Sequence, residues 1–502
     1  MSEETRVRAM PGVLLFVVMV TGIISSLGAP LIPSISDDLG VSLSAAQWSL
    51  TATLLIGVVS SPVMGRLGDG PRRRETLLGG LAVVTAGSVI AALAGSLPVL
   101  VAGRAMQGVG LGLVPLGMAT ARDALPAEKV PATIGLLSVA GAAGVGAGYP
   151  ISGLLAGIDL SAAFWFGAVV AAIAFALSWI FVPSTAGRAA EKLDVPGAAM
   201  LAIGLSALLV AIAEGSGWGW GSARTVGLFL VAIVFLLLWG GQQLRVDEPL
   251  VDLRLARIPA VLTADVCATV LGVAMYMYLS GVSEFVQAPS ELGYGFGASV
   301  VVAGLCLVPF SVVGLAGARM LPFSTRLVGA RHLLPVGCLT VAAGGLVFAV
   351  FHAHLWSAFA MMGVLGLGYG LTYAAIPGII VRAVPESETG SATGFYQVVR
   401  YIGFSVGSAL AASVLASETP AGSQLPRLAG YTAVTWIGIV ICVFAAILAW
   451  VMTGRSEGRR GEPTAAELRR EQEESELAGA GLPGLGTDQP RPLRRRSDAL
   501  DR

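Results

Sequence analysis

Apolar runs of about twenty residues recur along the chain from Pro11 to Thr453, divided by short polar turns. Each is long enough to cross a hydrocarbon layer of ~30 Å as a helix. Backbone groups in lipid must be satisfied internally, so only helices and closed barrels can span it. Barrel strands are about ten residues long and alternate in polarity, and no such alternation is present. The expected fold class is therefore an all-α integral membrane protein. Composition agrees: 55% of the 502 residues are hydrophobic and 12% charged, whereas a soluble domain carries about a quarter charged residues.

Fourteen spans are expected, at 11–33, 47–67, 76–95, 97–121, 132–157, 161–183, 196–214, 223–243, 259–283, 297–319, 333–353, 355–379, 391–415 and 431–453. A count of twelve follows if the pair 196–243 is read differently. The first run is too long for a signal-peptide core and lacks a small-x-small cleavage site before Asp37, so it reads as a membrane helix. Cys267, Cys306, Cys338 and Cys442 sit in separate apolar runs and read as buried free thiols.

Basic residues accumulate on the cytoplasmic side of a membrane. With the N-terminus inside, the cytoplasmic segments collect Arg66, Arg72, Arg73, Arg74, Arg122, Lys129, Arg254, Arg257, Arg319, Arg326, Arg331 and Arg382, and the external segments only Arg224 and Arg427. An odd count would scramble that alternation. Both termini are thus expected in the cytoplasm, in a multi-pass protein of the cell (plasma) membrane. Residues 454–502 are charged, Pro/Gly-punctuated and almost free of aromatics, so a disordered cytoplasmic tail is expected, with a short charged helix at Thr464 to Leu477 as its one structured candidate.

The spans divide as six, two and six: an N-terminal bundle 11–183, an inserted pair 196–243 and a C-terminal bundle 259–453. The second span of each bundle ends in a short basic turn, Gly65-Arg66-Leu-Gly-Asp69 and Gly317-Ala-Arg319. Such internal symmetry marks transporters whose substrate site lies between two halves near the midplane.

Several residue groups stand out within this frame. Gly65-x-x-x-Asp69, followed by Arg73 and Arg74, closes the second span; its carboxylate can face a helix N-terminus, where the dipole favours negative charge, or the turn can serve only as a topogenic basic loop. Arg104, with Gln107 and Gly108, lies deep in the fourth span. A charge there costs ~2.5–3.5 kcal/mol on insertion scales, so it either serves transport or holds helices together. The fifth span carries Gly144, Gly148, Pro150 and Gly153 among further glycines, which permit close packing, with the proline bending the helix. Arg400, with Gly403 and Gly407, is a second arginine inside the membrane.

In combination these groups resemble the major facilitator superfamily, and within it the fourteen-helix drug:proton antiporter branch, over residues 11–453. The turn at Gly65–Asp69 departs from the family order at Gly70 and Arg72, and Tyr149 separates Gly148 from Pro150. The resemblance implies a conformational latch at Gly65, Asp69, Arg73 and Arg74, an antiporter helix at Gly144, Gly148, Pro150 and Gly153, and a role in proton coupling for Arg104. The acidic residue that relatives carry early in the first span is absent; Val-Met-Val-Thr21-Gly22 stands there. Asp265 is therefore the first candidate for a proton-exchanging carboxylate and Glu284 the second, and Arg400, a second arginine within the membrane, is a further candidate for proton coupling. Tyr276, Tyr278, Tyr373 and Tyr396 are candidates to line a cavity for bulky amphipathic molecules.

No Gly-x4-Gly-Lys-Ser/Thr loop and no Gly-x-Ser-x-Gly turn occurs, so neither ATP hydrolysis nor a serine hydrolase is indicated. Gly108, Gly110 and Gly112 follow no strand and do not suggest a nucleotide site. His352 and His354 sit in a loop too short for a metal cage. The expectation is a non-enzymatic, proton-coupled exporter of small lipophilic substrates, driven by the proton gradient without a cofactor. It needs no nucleic-acid partner and acts as a monomer. Metabolite uptake and a non-transporting membrane sensor are the alternatives.

Overall fold

The computed structural model describes residues 3–27, 31–41, 43–126, 128–156, 159–183, 193–420 and 425–459. Among them no strand occurs, and fourteen helices are long and apolar enough to cross a membrane. They are α1 (Glu3–Ser26), α2 (Leu43–Asp69), α3 (Arg73–Ala92), α4 (Leu97–Gly108 and Leu113–Ala124), α5 (Val130–Ala156), α6 (Leu160–Phe181) and α7 (Val195–Trp218). There follow α8 (Ala223–Gln243), α9 (Pro259–Gln287), α10 (Val300–Cys306 and Val308–Arg319), α11 (Ala330–Phe351), α12 (Leu355–Ala383), α13 (Thr389–Ser417) and α14 (Leu428–Arg459).

The first helix begins at Glu3 rather than 11, the tenth span is interrupted at Leu307, and three further places differ from the sequence expectation. The first span ends at Ser26 rather than 33, and a separate short helix, Ile32–Leu39, follows. That helix lays Ile35 into a small core with Leu31, Ala46 and Phe164. Pro33 stands in its first turn, where a missing N–H costs nothing. The fourth span is broken by a tight 3-10 turn at Val109–Gly112, in the Gly108–Gly112 stretch. The last helix runs to Arg459, so residues 454–459 are helical rather than tail; no proline intervenes before Pro463, and leaving the apolar layer does not itself end a helix. The rest of the expected tail, with the stretch from Thr464 to Leu477, lies outside the described residues.

Packing repeats with the order of the spans. In the first half α1 packs on α5, α2 on α4 and α3 on α4; in the second, α9 packs on α13, α10 on α12 and α11 on α12. Glycines make the first of these equivalent contacts. Gly144 and Gly148 of α5 bring its backbone onto Met19 and Ile23 of α1, and Gly403 and Gly407 of α13 do the same against Thr269 and Val273 of α9. Without a hydrophobic drive between helices in lipid, such close approach is what association relies on. The halves meet where α2 and α4 pack on α13, and where α5 packs on α10 and α12. The inserted pair α7–α8 lies outside both bundles: α7 touches α2 and α13, while α8 exposes Leu230, Val234, Leu237 and Leu238.

Candidate transport pathway and gate

With an even number of spans, the start of α1 and Thr453, where the last apolar span ends, share one face, the terminus face. At that face α2 ends in Asp69, whose carboxylate accepts hydrogen bonds from the backbone N–H groups of Gly390 (2.7 Å) and Ser391 (2.8 Å), in the first turn of α13. These are orphan donors at the positive end of a helix dipole. One turn earlier in α2, the backbones of Gly65 and Gly390 touch, so that a side chain on either would force the helices apart. Arg66 pairs with Glu388 at 3.0 Å. Arg122, at the end of α4, donates to Thr389 Oγ1 and, at 3.4 Å each, to the Pro385 and Val384 carbonyls. Every one of these contacts joins the first half to the second.

Arg73 and Arg74 lie elsewhere than the latch expectation placed them. Arg73 pairs with Asp123 of α4 at 2.6 Å and donates to the Gly68 carbonyl, fastening the turn within the first half. Arg74 donates to the Trp179 carbonyl and lies 5.2 Å from that ring's centre, on α6. They open a new helix, α3, whose 100° per residue carries them away from α13. The charges that do cross, Arg66, Arg122 and Glu388, stood in the sequence as a basic last turn on two spans facing Glu386-Ser-Glu388 ahead of a third.

Arg104 is wholly buried. It donates to the carbonyls of Ile24 (2.9 Å), Ser25 (3.1 Å) and Ser49 (3.3 Å), and to Gln107 Oε1 (2.6 Å). Gln107 in turn donates to Ser88 at 2.8 Å. A cation at the C-terminal end of α1 answers that helix's orphan carbonyls and its negative dipole end. The geometry is that of a fastener joining α1, α2, α3 and α4; among the described residues no carboxylate pairs with it. Gly108, beside it, admits the Thr53 backbone of α2.

On α5 the residues at positions 144 and 148 face α1, whereas Gly146 faces Ser311 and Leu307 of α10 across the seam between halves. Pro150 lies inside the helix. The surroundings of Tyr149 and Gly153 lie outside the described residues.

The two candidate carboxylates are far apart on α9. Asp265 is buried near the terminus face, and neither of its oxygens has a hydrogen-bond partner. Glu284 is nineteen residues further on, about 28 Å along a helix. It borders a cleft of about 230 Å³ between α5, α9 and α10, with Tyr276, Ser280 and Phe310 among the lining. Among the described residues α1 and α9 make no extensive contact.

Of the four candidate tyrosines, Tyr276 faces this cleft. Tyr278 does not: it packs on Gly345 of α11 and Gly438 of α14, inside the second half. Two residues on a helix point about 200° apart, so both cannot line one cavity. Tyr373 and Tyr396 sit on the closed seam, Tyr396 Oη lying 3.4 Å from Ser138 Oγ of α5. Both also surround Arg400, which donates to Tyr396 Oη at 3.3 Å.

The inserted pair reaches the gate through residues that the sequence did not single out. Asp194 caps α7 by accepting from the Gly197 N–H at 2.9 Å, and also accepts from the side chains of Gln242 (2.9 Å) and Gln243 (2.6 Å) at the end of α8. Gln243 Oε1 accepts from the Val251 N–H at 2.9 Å, and the neighbouring Leu250 carbonyl accepts from Ser391 Oγ at 3.0 Å. Ser391 is the residue whose N–H holds Asp69. Burial works against ionisation of Asp194, but the Gly197 N–H, the two glutamine amides and the Leu250 N–H outweigh it and hold its carboxyl below the ordinary carboxylate range. A lowered value means that this brace is present at neutral pH and is lost only as pH falls through the acid range. Asp194→Ala should loosen the gate by about tenfold in the open-to-closed ratio, the worth of one net charged hydrogen bond. Spin labels at the exposed positions Glu128 and Arg382, one on each half, would read this as a longer mean separation. An unchanged distance distribution would mean that the brace is confined to the inserted pair.

The sequence profile of the Major Facilitator Superfamily matches residues 14–408, with a second match over 266–498. The chain belongs to that superfamily. It is a transporter and not an enzyme. Among curated superfamily relatives, it is 28% identical over 393 residues to the multidrug resistance protein Stp of Mycobacterium tuberculosis, covering 77% of this chain and 72% of that protein. It is 29% identical over 429 residues to the tetracenomycin C resistance and export protein of Streptomyces glaucescens, covering 82% and 78%. It is 28% identical over 397 residues to a probable actinorhodin transporter of Streptomyces coelicolor, covering 75% and 67%. Among solved structures, the human organic anion transporter MFSD10 (TETRAN) superposes with a TM-score of 0.64 at 16% identity, over 88% of this chain and 99% of that one, a likeness of fold alone. As a superfamily member the chain has the two-bundle architecture on which alternating access is built.

Proposed function

We propose that this protein exports amphipathic, largely aromatic small molecules from the cytoplasm across the plasma membrane in exchange for protons, as a monomer whose terminus face is cytoplasmic. The reading is carried by the gate: the terminus face is closed by contacts that all cross between the halves, while a cleft opens between α5, α9 and α10 at the other end. In this reading that arrangement is the release state of an exporter, and the direction itself rests on the relatives. The resistance and export functions in the names of relatives at 28–29% identity support the direction.

Asp265 is the proton carrier in this reading. A carboxylate without a partner at such a depth is costly, and carrying a proton removes that cost while the gate is shut. Parting of α2 from α13 would admit cytoplasmic water and take the proton away. One charge moving through ~150 mV supplies ~3.5 kcal/mol, enough for a few-hundred-fold substrate gradient. Ethidium efflux in inside-out vesicles under an imposed pH gradient tests the assignment. Asp265→Asn should leave ethidium binding within about twofold and cut gradient-driven movement by at least about tenfold, the scale of one lost proton-transfer group. Wild-type movement in Asp265→Asn would move the role to Glu284; the absence of gradient-driven movement in the wild type for ethidium, anthracene-9-carboxylate and its carboxamide alike would sink proton-coupled export.

A further inference from the structure

Arg400 is a buried charge for which the fold supplies no counter-charge. It is 4% exposed. Its guanidinium carbon lies 5.3 Å from the ring centres of Tyr373 and Tyr396, 5.4 Å from Tyr401 and 5.6 Å from Phe404. Ring faces attract a cation but offer no lone pair to the planar N–H fork. Tyr396 Oη takes one hydrogen bond and the Tyr401 hydroxyl is a second acceptor, Nε finds none, and among the described residues no carboxylate pairs with the group. Arg104 shows the contrast: equally buried, it spends its donors on four acceptors of the fold.

The neighbours of Arg400 are also unspent. Tyr373 Oη has no partner, and Gln397, one turn before Arg400 on α13, is wholly buried with neither amide atom bonded. The cluster thus offers a guanidinium fork, a phenol O–H and an amide N–H₂, with aromatic faces around them. It also sits where a substrate would meet it. Arg400 lies near the middle of the 29-residue α13, and Tyr396 and Tyr373 border Ser138 and Val139 of α5 on the seam that opens when the halves part.

We propose that the Arg400 cluster is an anion-receiving subsite, which takes a carboxylate or phenolate borne on a flat aromatic ring system. The anion meets the fork of Arg400 and the hydroxyl of Tyr373, and the rings of the substrate stack among Tyr373, Tyr396, Tyr401 and Phe404. Paired N–H donors in one plane match a carboxylate bidentately. This names a substrate class for the export reading and rests on it.

The test compares anthracene-9-carboxylate with its uncharged carboxamide, and with ethidium as a flat cation. Binding is read by fluorescence on the full-length protein in lipid nanodiscs, and movement in inside-out vesicles. Wild type should bind the carboxylate at least about tenfold more tightly than the amide, the scale of a charge-assisted pair. Arg400→Gln should bring that ratio close to one with amide affinity kept, and Arg400→Lys should fall between because it keeps the charge and loses the fork. Thermal unfolding checks that the variants fold; if Arg400→Gln does not, Tyr373→Phe removes only the unpartnered hydroxyl and should still lower the ratio severalfold. A ratio near one in wild type, or an unchanged ratio in these variants, overturns the subsite. Should the amide or ethidium be transported without preference for the acid, the subsite alone fails. Should none of the three move, the export reading fails and the subsite with it.

Discussion

Asp69→Ala is expected to open the terminus-face gate and to abolish most export while leaving the fold intact. The carboxylate holds two backbone N–H groups at the start of α13, both within 2.8 Å. Hydrogen bonds to a charged group contribute about 1.5–3 kcal/mol each, so losing both should shift the closed-to-open ratio by at least about a hundredfold. The mutation leaves behind donors that a helix N-terminus already offers to water once the gate parts, which is why stability should suffer less than the conformational balance. Labels at Glu128 and Arg382 should report a mostly open population, and ethidium export should fall to background. Asp69→Asn separates charge from shape: an amide oxygen can accept only one of the two bonds well and is uncharged, so an intermediate population is expected. A closed distance distribution in Asp69→Ala would shift the gate to Arg66–Glu388 and Arg122.

Arg104→Ala is expected to fail in a different manner, by loss of assembly. Three carbonyls and the Gln107 side chain lose their donor at once, at a depth where no lipid group can replace it. Each buried acceptor left without its donor costs about 1–3 kcal/mol. Size-exclusion profiles after graded heating should therefore show a clear drop in melting temperature, and the yield of folded protein should fall. Arg104→Lys keeps the charge but presents a single ammonium where the fork spans three helices, so it should recover only part. A stable Arg104→Ala protein that binds substrate but no longer couples it to a proton gradient would return this arginine to proton coupling.

The helix count, the pairing of six, two and six spans, and the depth of Arg104, Asp265 and Arg400 were legible from the chain alone. Each rests on a local quantity: run length against bilayer thickness, or the position of a charge within a run. The close-packing role of Gly144 and Gly148 was legible too, and Gly403 and Gly407 stood out beside Arg400, though nothing local said that the four form equivalent contacts in two halves. Partners were not legible. Asp69 could be read as facing some helix N-terminus, but not that it would be α13, some 320 residues away. Arg66 and Arg122 read as topogenic charges, and only their apposition to Glu388 and Thr389 makes them part of the gate.

Direction on a helix also escaped the linear reading. Tyr276 and Tyr278 look interchangeable in a string, yet one faces the cleft and the other the core. Arg73 and Arg74 follow the latch motif in sequence and leave it in space, because a new helix begins there. The sequence by itself determined that this protein must fill a membrane with fourteen helices in two related bundles, since hydrocarbon thickness and backbone satisfaction permit little else. Only the tertiary structure decided which charges meet, because a hydrogen bond between distant segments depends on how whole helices cross and rotate. That is why Asp69 finds its donors across the seam, and Arg400 meets no counter-charge among the described residues.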